Sequence, residues 1–258
     1  LAWILFETFV PIVGGIFYYL FGPQRLIREA TKRKVEITRL LAQESNLSNQ
    51  TTEHANKTLP IKDRNVFELA HQVSDYPTTL GNTIQTLSDP KGALAAMEEA
   101  IDKAKKFIHL EYYIIASDEV TEQLFGSLVK AAERGVEVRI LYDSLGSLFL
   151  KKIYFRKLTL AGVKTAGFLP ITSIAERFNL NFRNHRKILI VDGTTVFTGG
   201  TNIGKEYLGI RTETQWRDQM VRVQGPACAQ LQDVFAKDWH FTTKEDLFLP
   251  RYYPRTPD

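Results

Sequence analysis

Residues 183–202 read RNHRKILIVDGTTVFTGGTN. Residues 186–191 have the apolar, β-branched composition of a strand, and Asp192-Gly193 is a strong hairpin turn signal. Thr195 to Thr198 then form the return strand. With a two-residue turn Lys187 faces Thr198 and His185 faces Gly200; a longer turn shifts this by a residue or two. His185 and Lys187 are two apart on an extended chain, so both side chains leave one face. An imidazole and an ammonium group therefore converge. The glycines opposite remove side chains and let a ligand approach the backbone.

The same edge collects more groups. Thr201 or Asn202 is placed to cap a short helix over 203–208, whose N-terminal amides would favour an anion. Asp218 precedes the strand candidate Gln219–Val223 and, if that strand is a neighbour, reaches the same end of the sheet. A carboxylate there would hold one imidazole nitrogen of His185 and leave the other free to attack. Together these groups describe a phosphate site with a nucleophile beside it.

Outward from this hairpin, helices and short apolar strands alternate. Residues 93–105 and 119–134 have helical spacing, and 107–115 (FIHLEYYII) and 136–142 (VEVRILY) have strand composition. Residues 149–160 form a helix that stops before Gly162, and 164–168 a third strand. The expected architecture is an α/β sheet flanked by helices. His109 and Glu111 alternate with Tyr113 on one strand, as a core network or as neighbours of the site. Tyr112 and Tyr113 read as core aromatics, and Asp143-Ser144-Leu145-Gly146 follows a strand end where ligands of open α/β sheets bind. Cys228 reads as buried and inert.

At the other end of the chain, Leu1 to Phe21 (LAWILFETFVPIVGGIFYYLF) holds one charged residue, Glu7. Roughly 20 such residues span a hydrocarbon core. Arg25, Arg28, Lys32, Arg33 and Lys34 follow, so the remainder should face the cytosol. The expected organisation is a transmembrane helix over 1–22, a basic helix and polar connector over 23–65, and a catalytic domain over 66–258. The chain opens on Leu within an apolar run, which suggests a fragment.

His185-x-Lys187-x4-Asp192-x6-Gly199-Gly200-x-Asn202 resembles the HxKxxxxD signature of the phospholipase D superfamily. The surroundings resemble bacterial cardiolipin synthases more closely: Asn181 to Lys187, Gly199 to Ile203, Trp216-Arg217-Asp218, Ala161-Gly162-Val163 and the apolar N-terminus. The resemblance implies a mixed sheet of phospholipase D type. It implies catalysis by His185, Lys187 and Asp192, with Gly200, Asn202 and Asp218 binding phosphate or orienting the histidine. Asp-Gly is also what a tight turn demands, so a structural role for Asp192 stays open. No metal and no cofactor is implied.

That family builds its site from two motifs, and this sequence has one. Either a second half is absent from the chain or two copies pair. The implied reaction joins two phosphatidylglycerol molecules into cardiolipin with release of glycerol, at a bacterial inner membrane with the catalytic domain cytoplasmic. Phosphatidylglycerol and anionic membrane lipids are the implied partners, and no nucleic acid is expected. Two alternatives are a single-motif nuclease or phosphodiesterase acting as a homodimer, and a non-catalytic lipid-binding module.

Composition excludes other classes. The chain has 258 residues, 44% hydrophobic and 24% charged, with 16 Gly and 10 Pro, which fits an ordinary globular protein rather than a low-complexity one. One cysteine excludes an internal disulfide framework and a cysteine-built zinc site. A net charge of +4, from 33 basic against 29 acidic residues, favours an anionic surface without identifying one.

Overall fold

The structure is a computed structural model. It describes residues 8–21, 79–170, 183–208 and 218–254, with isolated positions at 60, 65, 66, 69, 73 and 76. Helix α1, Pro11–Phe21, covers part of the expected membrane segment. Its Ile12 and Ile16 side chains are exposed. No helix among the described residues is long and apolar enough to cross a membrane. The expected basic helix and connector over 23–65 lie almost wholly outside the described residues, as do Trp216 and Arg217.

Residues 79–170 and 183–258 group as one unit, separate from the one that holds α1. Its elements run β1 (Thr83–Leu87), α2 (Pro90–Lys103), β2 (Phe107–Tyr112), α3 (Glu119–Glu133), β3 (Glu137–Asp143), α4 (Lys152–Leu160), β4 (Lys164–Phe168), β5 (Lys187–Val191), β6 (Thr195–Gly199), α5 (Lys205–Leu208), β7 (Met220–Gln224) and α6 (Ala227–Thr243). The seven strands form one sheet in the order β1-β7-β6-β5-β2-β3-β4. β2, β3 and β4 are parallel, and α3 and α4 lie between them in sequence. β5 runs antiparallel to β2, and the pairs out to β1 are antiparallel as well. The expected mixed α/β architecture is present.

Local chemistry sets the helices. Asp89 caps α2 by accepting from Gly92 N at 2.7 Å, and Pro90 supplies a preset φ at the first turn. Asp118 caps α3 through Oδ1, while its Oδ2 accepts from Lys205 N at 2.8 Å. One carboxylate thus fixes the start of α3 and of α5. Gly135, with φ +90°, ends α3 where a side chain would be strained.

Two apolar layers sandwich the sheet. On one face Met97, Ile101, Leu124 and Leu128 of α2 and α3 pack on Ile108, Leu110, Leu189 and Phe197. On the other, Phe235, Ala236 and Trp239 of α6 pack on Phe107, Ile188, Ile190 and Val196. Each fully buried side chain of this size contributes about 1.5–3 kcal/mol. Coverage on both faces explains why every residue of β2 is buried.

The α6 layer also holds polar groups. His109 Nδ1 bonds Gln232 Oε1 at 2.9 Å, and its ring stacks on Phe235 at 4.5 Å. Burial lowers the imidazole to about 3, so it is neutral and donates to Gln232. Arg139 pairs with Glu137 at 3.0 Å and Glu245 at 2.8 Å. Burial alone would raise the Glu245 carboxyl, but bonds from Arg139, Lys164 and Trp239 pull it down to about 2. His109 therefore belongs to a core network.

Candidate active site

The β5–β6 hairpin places the site. Ile188 pairs with Thr198 and Val191 with Thr195, so the connection is three residues, Asp192-Gly193-Thr194. It is one longer than the shortest turn, which moves the register by one and brings Gly199 level with Lys187. Asp192 and Gly193 take φ +53° and +70°, a left-handed pair that suits Asp and Gly.

His185 precedes β5 and is exposed, while Lys187 is 3% exposed. Lys187 Nζ lies 3.2 Å from His185 Nδ1 and donates to His185 O at 2.8 Å. The expected convergence is present. Tyr113, the residue after β2, closes over both: its ring centroid is 4.5 Å from the imidazole and 5.2 Å from Nζ. Tyr112 pairs with Lys187 across β2 and β5, which delivers Tyr113 to this spot. Burial draws the Lys187 ammonium below its usual range, and the Asp218 carboxylate offsets part of that.

Asp218 lies over Gly200, where a Cβ would stand 2.0 Å from its Oδ1. The glycine is required for that approach. The expected bond from Asp218 to His185 is not present among the described residues. Asp218 accepts instead from Gln219 N at 2.8 Å and acts on the pair through its charge beside Lys187.

One further expectation is corrected, and Asp192 takes the structural place left open for it. Neither Thr201 nor Asn202 caps the following helix; Asn202 Oδ1 accepts from Ile114 N at 3.1 Å and ties down the segment that carries Tyr113. Asp192 sits at the far end of β5, away from His185. Its Oδ1 accepts from Lys106 N at 2.7 Å and Phe107 N at 3.0 Å, and its Oδ2 from Lys105 N at 2.9 Å. The geometry separates the signature's acid from its histidine and lysine, because β5 begins at Lys187 and Asp192 follows its far end.

Asn184 sets the backbone that carries His185. Its N donates to Asp143 Oδ2 at 3.0 Å, its Oδ1 accepts from Arg186 N at 3.1 Å, and its Nδ2 donates to Glu111 and Asp238. Arg186 pairs with Asp238 at 2.7 Å. Burial raises the Glu111 carboxyl well above its usual range, and the Asp238 charge adds to this. Asp143 also accepts from Leu145 N and Gly146 N, turning the chain at the end of β3. The residue-level reading took Tyr113 for a core aromatic and gave Asn184 and Asp238 no role of their own at the site. What marks them is the pairing of β2 with β5 and the packing of α6, neither of which a local pattern encodes.

The site therefore lies at the carboxyl ends of β2 and β3, where open α/β sheets bind ligands. It joins an exposed imidazole, a buried ammonium and a glycine-cleared approach. No cluster of metal-ligating side chains occurs among the described residues.

The family model described as cardiolipin synthase, PLD-like domain, matches residues 97–239, and the chain belongs to that family. It is 36% identical over 262 residues to the cardiolipin synthase of Geobacillus sp. (strain WCH70), covering 98% of this chain and 50% of that protein. It is 33% identical over 260 residues to the major cardiolipin synthase ClsA of Bacillus subtilis (strain 168), covering 98% and 54%. The chain spans about half the length of the curated relatives it matches. Among solved structures, phosphatidylserine synthase of Haemophilus influenzae superposes with a TM-score of 0.51 at 18% identity, over 68% of this chain and 40% of that one, and so shares the fold.

Proposed function

We propose that the protein is a phosphatidyltransferase that makes cardiolipin from two phosphatidylglycerol molecules and releases glycerol. The observation that carries this is the His185–Lys187 pair, 3.2 Å apart at the start of the central strand β5, in a chain of the cardiolipin synthase family. The exchange needs two histidines, and His185 supplies one of them.

In the first step a histidine nitrogen bonds to phosphorus and the P–O bond to glycerol breaks. The second histidine gives its proton to the departing oxygen. In the next step the hydroxyl of another phosphatidylglycerol attacks phosphorus, the second histidine takes the hydroxyl proton, and the P–N bond breaks. This is covalent catalysis with ping-pong kinetics. With Nδ1 engaged by Lys187, Nε2 is the ring nitrogen that serves the reaction. Lys187 balances charge on the phosphoryl oxygens. Asp218 tunes Lys187 from above Gly200, and Asn202 shapes the approach. Asp192 acts by holding the hairpin to the start of β2.

The second histidine comes from a second half of the protein or from a second copy. Residues 1–22 form the membrane segment, 23–65 the basic connector and 66–258 the catalytic domain, on the cytoplasmic side of a bacterial inner membrane. The apolar composition of residues 1–21 and the basic residues that follow support this arrangement.

The test is phosphatidyl transfer in lipid–detergent micelles by the whole protein. His185→Ala should abolish it, and Lys187→Ala should cut kcat about 10²–10³-fold, the usual cost of removing one preorganised donor. Normal turnover by either variant overturns the reading. Residues 1–258 alone should be inactive as a monomer, and single-chain activity would refute the need for a second motif.

A further inference from the structure

An apolar tip stands at the rim of the site. After β3 the chain turns at Asp143. Gly146 then packs on Tyr113 so closely that a Cβ would stand 2.3 Å from Tyr113 O, and Ser147 Oγ donates to that carbonyl at 3.1 Å. Leu148 and Phe149 follow, 57% and 88% exposed, and Ile153 in the first turn of α4 is 50% exposed. Leu150, between them, is buried.

The tip is not frayed. Ser117 Oγ donates to Phe149 O at 2.8 Å and accepts from Lys151 N at 2.9 Å. A pinned backbone therefore presents two large apolar side chains to solvent while Leu150 anchors it in the core. Lys151, Lys152 and Arg156 are exposed beside it. At 3.8 Å per residue, the Cα of Phe149 lies within about 11 Å of that of Gly146. Gly146 touches the tyrosine whose ring is 4.5 Å from His185.

We propose that Leu148, Phe149 and Ile153 dip into the headgroup–acyl boundary of an anionic bilayer, with Lys151, Lys152 and Arg156 on the headgroup phosphates. This rests on the reading of the site as acting on lipid phosphodiesters and adds that substrate is taken from the membrane at this rim. An apolar centre with a basic flank is the pattern of interfacial membrane binding. A stable protein interface needs about 800 Å² per partner, more than three side chains and their flank supply, whereas a bilayer needs only a few inserted groups. Basic residues complement anionic lipid and have no such use against a second copy of a chain that is itself net positive.

The one cysteine of residues 1–258 is buried, so once any cysteine outside these residues is replaced by serine, an added cysteine takes the label selectively. Phe149→Cys and, at the far edge of the sheet, the exposed Thr194→Cys are labelled with an environment-sensitive fluorophore in the whole protein. The protein is placed in nanodiscs of phosphatidylglycerol and phosphatidylcholine. The label at 149 should shift to the blue and be quenched by spin-labelled lipid at least twofold more than the label at 194. Lys151→Glu with Lys152→Glu should weaken that quenching. Equal, water-like emission at both positions overturns the proposal. So does a blue shift at 149 that lipid quenchers do not reach, which would mean that protein covers the tip.

A second arm separates this proposal from the reading beneath it. Leu148→Ser with Phe149→Ser should lower turnover of bilayer phosphatidylglycerol about tenfold, the cost of losing one buried aromatic, and leave a water-soluble aryl phosphodiester unaffected. Equal loss on both substrates counts against docking. If the unmodified protein turns over neither, the reading of the site fails, and the quenching result still decides the docking.

Discussion

Asn184 shows how much of this site lies one residue away from its chemistry. Its donors and acceptors meet Asp143, Glu111, Asp238 and Arg186, and the next residue in the chain is His185. Glu111 accepts from Asn184 while close to the Asp238 carboxylate, an arrangement that ionisation of both acids would strain. A raised carboxyl keeps its proton to higher pH than a free one, and in that form Glu111 resembles glutamine. Glu111→Gln should therefore cost less than Glu111→Ala, which should cost about 2–4 kcal/mol through a cavity and unpaired donors. The sign of the pH effect follows from the raised carboxyl. Its contribution is complete below the pKa of a free carboxyl and is lost as pH rises through the folded value. Melts between pH 5 and 9 should show the unmodified protein losing stability that Glu111→Gln retains. Parallel curves would mean that Glu111 is already charged.

Among the elements, the β5–β6 hairpin was legible because it combines a short apolar run, an Asp-Gly turn and a glycine pair. Its exact length was not, since Asp-Gly serves loops of two and three residues alike. The three-residue connection gives Asp192 the left-handed backbone and points its carboxylate at three amides of residues 105–107. Asp192→Ala should lower unfolding free energy by about 2 kcal/mol in urea titrations. Asp192→Asn keeps the Oδ1 acceptor used by two of the amides and should cost less. A catalytic role would instead lower kcat for both at unchanged stability. Strand β1 escaped the pattern altogether: it is an edge strand, TIQTL, with four of its five residues exposed and no apolar periodicity. The pairing of β5 with β2 was equally hidden, because strand order beyond a hairpin is decided by helix crossovers and sheet packing rather than by any five-residue stretch. That is why the His–Lys pair could be read in advance and Tyr113 could not.

At the scale of the molecule, the acid response is concentrated under α6. His109 stays neutral when folded, down to about pH 3, while a free imidazole takes its proton near 6.5. The unfolded chain binds more protons throughout that interval, so stability falls as pH drops from about 6.5 to about 3. Glu245, held at about 2, adds a loss as pH falls from the ordinary carboxylate range through that value, and Glu137 is lowered in the same direction. In Glu111→Gln, which removes the opposing carboxyl, urea midpoints should therefore decline from pH 6.5 downward without a plateau. Adding His109→Gln should remove the first part of the decline and leave the second. A midpoint of Glu111→Gln unchanged between pH 7 and 5 would contradict the buried neutral imidazole.

The placement of Asp192 reaches beyond this chain. Because that side chain ties two stretches more than eighty positions apart, a duplicated copy that had shed its histidine and lysine would still be steadied by it. In genome surveys the third letter of such a signature would then report that a domain is well made. Only the first two would report that it works.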